Sequence, residues 1–248
     1  MQSDTAWKKL FTIKVKSDFF TTDNIGNIYV IHKDELIKYN GYGEILKRYS
    51  NKRLGNIFSV DASNPLRILV FYKDFSAVVI LDSQLTENGE SISLEGKGLE
   101  QCDLACTSFN NGVWLFNRQN MELIRLNEKF EIVLHTGNLN PVLGLELHPN
   151  FIIENKGYVY LNDPGTGVLV FDIYGTYYKT ISLKDLTVFQ ITDQQILFSR
   201  NGKIGSYKIK EFKEETPEVQ DTISKSFQTQ KNNMYFQYSD SICVFSEN

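Results

Sequence analysis

The chain has 248 residues, of which 42% are apolar and 13% aromatic, and a formal net charge of −4. So much apolar side chain supplies a sizeable core and excludes a disordered chain. The even mixture of charges excludes a dedicated nucleic-acid surface, which draws its affinity from clustered Lys and Arg; the short pairs Lys47-Arg48 and Lys52-Arg53 read as solvated strand edges. No apolar run approaches the roughly 18 to 20 residues that a spanning helix needs, so no transmembrane segment is expected.

The chain opens on Met1-Gln2-Ser3-Asp4-Thr5, which has neither a cationic nor an apolar signal region. A polar start running directly into a strand resembles a mature exported bacterial protein, and the expected setting is the periplasm or cell envelope in preference to the cytoplasm. From Trp7 to Val15 the residues Phe11, Ile13 and Val15 alternate on one face, which predicts a strand. The first unit, near 16–50, has the turn Asp23-Asn24-Ile25-Gly26, a strand from Ile28 and a further strand ending at Asn40, followed by Gly41-Tyr42-Gly43. The second, near 51–97, carries the continuous apolar strands RILVF and AVVIL, anchored at Ile68 and ending at Asp82. In the third, near 98–138, Asn110-Asn111-Gly112 leads into a strand anchored at Val113, and the next strand ends at Asn127. The fourth, near 139–185, runs through Asn155-Lys156-Gly157 to an anchor at Tyr158 and ends its third strand at Asp172-Ile173-Tyr174-Gly175. The fifth, near 186–220, is anchored at Ile196 and its third strand ends at Lys208; the sixth, near 221–248, is anchored at Met234 and reaches Ser246 with only three strands.

Successive anchors lie about 38 to 45 residues apart, the length of a four-stranded propeller blade. Asn, Asp and Gly at the connections suit tight antiparallel turns. One surplus strand at the start and one missing at the end predict ring closure, which also shields an exposed edge. The fold expected is all-β, a six-bladed β-propeller of four-stranded antiparallel blades forming a single domain over 1–248, closed by the N-terminal strand pairing into the last blade. Phe20, Phe58, Phe151, Phe189 and Phe227 each fall about 7 to 10 residues before an anchor, with Cys106 in that place in the third unit. These side chains are expected on the innermost strands, packed between blades, where each unit buries a face it cannot bury alone.

The segment FIIENKGYVYLNDPGTGVLVFDIYGTYYKTI, Phe151 to Ile181, resembles the repeat of NHL-type and related six-bladed propellers, including the TolB-like group, and DNIGNIYVIHKDELIKYNGYGEIL in the first unit is similar. Gly165-Thr166-Gly167 stands where the NHL repeat has Asn-X-Arg before the third strand. The resemblance implies a six-bladed propeller. In propellers of this class that are enzymes, acids, histidines or amides around the central channel hold a metal.

The residues themselves supply no such motif. His32, His135 and His148 sit in different units without ligand spacing and read as surface or packing histidines, so no metal and no cofactor is expected. Asp74, Asp103, Glu146 and Asp163 are the acids an enzyme of this class could use, but they share no pattern and read as turn or surface carboxylates. Three cysteines cannot form a complete disulfide framework, and Cys102 and Cys106, about 13 Å apart on an extended strand, cannot bridge. Cys106 reads as a small packed side chain. What remains is recognition by the loops joining second to third strands: Lys33-Asp34, Tyr72-Lys73-Asp74-Phe75, Arg118-Gln119-Asn120, Asn162-Asp163-Pro164 and Arg200-Asn201. Aromatic rings mixed with Arg and Asp are the residue types of binding hot spots. The expected function is a non-catalytic interaction or scaffold propeller, bacterial and in a cell-envelope assembly, that binds a protein or peptide and no nucleic acid. Tyr72, Phe75, Lys73, Asp74, Arg118, Asp163 and Arg200 are its expected contact residues. The alternatives are a small-molecule or glycan sensor using the central pocket, and a metal-dependent propeller enzyme.

Overall fold

The computed structural model describes residues 7–192, 194–200, 203–215 and 224–247; Asn201, Asn248 and the first six residues lie outside them. After an N-terminal strand β1 (Trp7–Lys14), the chain lays down one antiparallel meander after another. The first blade is β2 (Phe19–Thr22), β3 (Ile28–His32), β4 (Glu35–Tyr39) and β5 (Ile45–Ser50). The second is β6 (Ser59–Asp61), β7 (Ile68–Tyr72), β8 (Ala77–Leu81) and β9 (Ile92–Ser93). The third is β10 (Cys102–Ser108), β11 (Gly112–Asn117), β12 (Glu122–Leu126) and β13 (Ile132–His135). The fourth is β14 (Phe151–Asn155), β15 (Tyr158–Asp163), β16 (Gly167–Asp172) and β17 (Tyr177–Ile181). The fifth is β18 (Phe189–Ile191), β19 (Gln195–Arg200), β20 (Lys203–Lys208) and β21 (Lys213–Glu215). The sixth takes only β22 (Ser226–Gln230), β23 (Asn233–Gln237) and β24 (Ser241–Glu247) from the C-terminal segment, and β1 pairs antiparallel with β24 to complete it. The chain is therefore an all-β six-bladed propeller of four-stranded antiparallel blades, closed by its N-terminal strand. Each anchor read from the sequence lies within one residue of the start of a second strand.

Two compact units make up the chain: Met1–Asn51, Ala62–Pro65 and Phe189–Asn248 form one, and Lys52–Asp61 with Leu66–Val188 the other. In the second unit the middle strands are buried on both faces, which is why they read as unbroken apolar runs. Alternate residues of β11 serve different neighbours. Val113 and Leu115 join Leu69, Phe71, Val78 and Ile80 of the second blade, whereas Trp114 and Phe116 join Val159, Leu161, Leu169 and Phe171 of the fourth. The period of two along a strand thus becomes the interlock between blades. In the first unit Ile13 of β1, only 6% exposed, packs with Ile242, Val244, Tyr235 and the first-blade residues Ile28, Val30 and Tyr39.

Within each unit, polar clamps tie one innermost strand to the next. Asp61 Oδ2 accepts from the Thr107 N–H and hydroxyl at 2.8 and 2.6 Å. Gln228 Oε1 accepts from the Thr22 N–H and hydroxyl at 2.8 and 3.0 Å, and Gln190 Oε1 accepts from the Thr229 N–H at 2.7 Å. Glu154 accepts from the Ser108 hydroxyl, the Phe109 N–H and the Trp114 indole at 2.9, 3.1 and 2.7 Å. Hydrogen bonds to side chains replace the ladder bonds that adjacent innermost strands, belonging to different sheets, cannot make.

The turns follow their chemistry. Lys156-Gly157, between the paired Asn155 and Tyr158, have positive φ at both positions, as a two-residue hairpin with the twist of its strands requires, and Asn110-Asn111 have it in the three-residue connection between Ser108 and Gly112. At the third-to-fourth turns of the first four blades, Asn40, Asp82, Asn127 and Asp172 each accept, through Oδ1, the N–H groups two and four residues on, at 2.8 to 3.0 Å. The residue three positions on has positive φ in all four: Gly43 82°, Leu85 58°, Phe130 59° and Gly175 76°. Gly167 opens the third strand of the fourth blade. Its φ is +124°, and a Cβ there would lie 2.3 Å from the Ile181 carbonyl oxygen, so no side chain fits.

One expectation needs correction. Phe20, Phe189, Phe227 and Cys106 are buried on innermost strands and Phe151 is half-buried on β14, but Phe58 is 43% exposed. It precedes the short strand β6 and lies edge-on to Phe71, 5.9 Å between centroids, with its N–H donating to the Phe71 carbonyl. The loop end of the blade takes it out of the core.

Candidate interaction surface

The second-to-third loop of the second blade is a tight reversal, Lys73 to Ser76. Ser76, at φ +44°, donates its N–H to the Lys73 carbonyl and its hydroxyl to the Glu100 carbonyl at 2.9 Å, and its own carbonyl accepts from the Leu94 N–H. These bonds pin the loop on both sides. Tyr72, the last residue of β7, is completely buried, which corrects its expected place on the surface: β7 is covered on both faces to its very end, and Tyr72 belongs to the core. Phe75 turns outward and is 53% exposed. Its ring rests over Gly55, at φ +70°, where a Cβ would come within 3.1 Å of the ring edge. Asp74 beside it is exposed.

From Lys73 a chain of charges crosses to the third blade. Lys73 Nζ stands 5.0 Å from the centre of the Phe58 ring and 3.2 Å from Asp103 Oδ1, and Arg118 Nε stands 3.2 Å from Asp103 Oδ2. Both carboxylate oxygens of Asp103 are thus occupied, and its side chain is 17% exposed against 62% for Arg118. Arg118 begins the loop between β11 and β12. Buried Asn117 shapes that loop by accepting the Gln119 and Asn120 N–H groups at 2.9 and 3.1 Å, and Met121 closes it at φ +52°.

A cavity of about 220 Å³ opens beside this chain, lined by Asp103, Phe116, Arg118, Met121, Leu147, His148 and Pro149. Its far wall is set by the connection to the fourth blade. There a short helix α1 (Leu139–Leu143) is capped by Asn138, and Asn140 Oδ1 accepts the Leu147 N–H. Asp163, 2% exposed, accepts the N–H groups of His148 and Thr166. Its expected role as a contact residue is therefore corrected: the buried carboxylate braces the cavity wall, accepting the His148 N–H and reinforcing that of Thr166, which also donates to the Asp163 carbonyl. His148 is 75% exposed and lies 3.7 Å from Glu146, itself 82% exposed.

Of the seven expected contact residues, Lys73, Asp74, Phe75 and Arg118 lie on the loops of the second and third blades. Arg200 ends β19 in the other compact unit, lying over the Phe198 ring at 5.2 Å and ion-paired with Glu214. Phe58, Met121, Leu147 and His148 were not read from the sequence as parts of an interaction site. A signal for the last two was present: Asn138 followed by Asn140-Pro141, with Gly144 after the apolar pair, is a capped helix start and stop that shapes the wall.

The thiols near this surface are poor nucleophiles. Burial first, then the carboxylates of Asp103, Glu122 and Glu100, push the Cys102 thiol up to about 12, and burial raises Cys106 well above the ordinary thiol range. All three cysteines are buried and free. Among the described residues, no three of His, Cys, Asp and Glu are grouped so as to hold a metal ion.

No family model matches the sequence, and no curated protein matches it. Solved structures do. A streptogramin B lyase is similar over 98% of this chain and 99% of its own, with a TM-score of 0.67 at 10% identity. The Neurospora crassa Pan2 WD40 domain is similar over 100% and 97%, with a TM-score of 0.62 at 10% identity. BBS1N, solved in complex with ARL6DN, is similar over 98% and 97%, with a TM-score of 0.58 at 10% identity. At such identities the likeness is one of fold.

Proposed function

We propose that this chain is a non-catalytic interaction propeller that binds a protein or peptide through the loop ends of its second and third blades. The observation that carries the reading is Phe75: a large ring, 53% exposed, on a four-residue turn pinned at Ser76 and seated on Gly55. An aromatic anchor on a rigid turn loses little conformational entropy on binding and can contribute about 2 kcal/mol or more at the centre of an interface. Lys73 and Arg118, tied to one carboxylate, supply polar contacts around it. The fold serves an enzyme in streptogramin B lyase and an assembly in the BBS1N complex with ARL6DN, so the choice rests on the site. Raised thiols and braced or ion-paired acids favour recognition over chemistry.

The test uses the full chain immobilised as wild type, Phe75→Ala and Lys129→Ala, the last at the opposite end of the third blade. Partners captured from native extract are quantified for each. Phe75→Ala should lose a partner about 30-fold, the equivalent of about 2 kcal/mol, while its melting curve stays unchanged and Lys129→Ala retains that partner. Equal capture by all three would place the interface elsewhere.

A further inference from the structure

The cavity beside Arg118 specifies more about the bound partner than that it is a protein; the argument rests on the interaction reading above. Pockets for free small molecules commonly measure about 300–1,000 Å³, and at about 220 Å³ this one has room for a single side chain. Its floor, Phe116 and Leu147, is almost completely buried, and its accessible wall is mixed: Met121 and Pro149 are apolar, Asp103, Arg118 and His148 polar. Its charged lining is unequal. Asp103 has each oxygen taken by a cation at 3.2 Å and is largely covered. Arg118 spends only Nε on that carboxylate, and among the described residues no other acceptor engages its guanidinium, which is 62% exposed. An arriving group therefore meets a small hole of mixed polarity, apolar at Met121 and Pro149, with a guanidinium fork at its rim. That fork suits a carboxylate, which it can take with two parallel hydrogen bonds. Glu146 and Asp74 are the nearby acids; neither lines the cavity, and both stand in solvent, where screening weakens them.

We infer that the recognised segment is an acidic-hydrophobic peptide: one apolar side chain enters the cavity against Met121 and Pro149, and a carboxylate within a few residues of it docks on Arg118, with Lys73 close by. Phe75, on the neighbouring loop, packs against the same segment. A basic peptide drawn by Glu146 and Asp74 is the opposite expectation.

Selection from a random linear peptide library displayed on phage, panned on the full chain, tests this directly. Enriched peptides should pair Leu, Met or Phe with Asp or Glu within about three positions. As labelled synthetic peptides they should bind Arg118→Gln at least tenfold more weakly than wild type, and Met121→Trp, which fills the cavity, at least tenfold more weakly as well. Replacing the peptide's acid by its amide should cost the same factor against wild type and nothing further against Arg118→Gln, the mark of a direct pair. The exposed Arg118 arm leaves that variant folded even if the tryptophan disturbs the loop. Enrichment of basic or uncharged peptides, no enrichment above background, or undiminished binding by both variants would overturn the inference. Peptides that lose binding to Phe75→Ala but ignore both cavity variants would sink it while leaving the interaction surface standing. Peptides indifferent to all three would sink both.

Discussion

The two ends of the blades are built on different terms. At the turn end, four third-to-fourth connections use one device: an Asn or Asp whose Oδ1 takes two N–H groups, and a residue at positive φ three positions on. At the loop end the second-to-third connections of the second, third and fourth blades share a residue at positive φ four positions past the second strand, Ser76, Met121 and Gly167, but differ in the side chains that hold and flank the turn. Lys73 to Ser76 is held by a serine reaching Glu100, the loop after β11 by Asn117, and the loop after β15 by Asp163. Where the chain has only to reverse, backbone geometry selects the residue and the same answer recurs. Where one or two buried polar groups suffice to hold the loop, the other side chains are free to differ, and Phe75 and Arg118 are found there. Recognition is assigned to the end where a recurrent backbone turn carries the most varied side chains.

Three experiments would break or sharpen this comparison. The largest effect is expected from deleting residues 1–15, which removes the strand that supports both ends of the last blade. It uncovers β24 and the apolar contacts of Phe11, Ile13 and Val15, a loss on the order of 5 kcal/mol and a fall in melting temperature of about 10–20 °C. A truncated chain that melts within a few degrees of the full one would show that closure carries no load. Next comes Gly167→Ala at the loop end. The required φ of +124° and the Ile181 oxygen 2.3 Å from a new Cβ should cost about 3 kcal/mol or more in urea unfolding. Gly165→Ala in the same loop, where a Cβ would sit 3.5 Å from Asp163 Oδ1, should change stability by less than about 0.5 kcal/mol. Equal costs would mean that the loop relaxes freely. The smallest effect belongs to the turn end: Asp172→Ala and Asn127→Ala each remove two hydrogen bonds to turn N–H groups and should each cost about 1 kcal/mol, whereas Gln119→Ala at the loop end should cost nothing measurable. Similar costs at both ends would erase the distinction.

Six anchors in phase, Asn or Asp at the turns and an unpaired alternating strand from Trp7 were enough for the sequence by itself to determine the blade count, the meander order and the closing strand. The reason is local: strand alternation and positive-φ turns impose residue types on the very positions they occupy, and a repeat multiplies the signal. The polar clamps were not legible, because Asp61 with Thr107 and Gln228 with Thr22 join residues of different blades, and no local pattern marks either partner. Nor was the fate of neighbours such as Tyr72, completely buried, and Phe75, 53% exposed. Two aromatic residues three positions apart differ only in which way a strand end and a pinned turn aim them. Likewise Asp163 became an internal brace and Arg118 a rim, although both are charged residues at equivalent loops. Only the tertiary structure decided these, because burial depends on what the next blade and its connection place over a side chain, and nothing in the side chain's own neighbourhood encodes that cover.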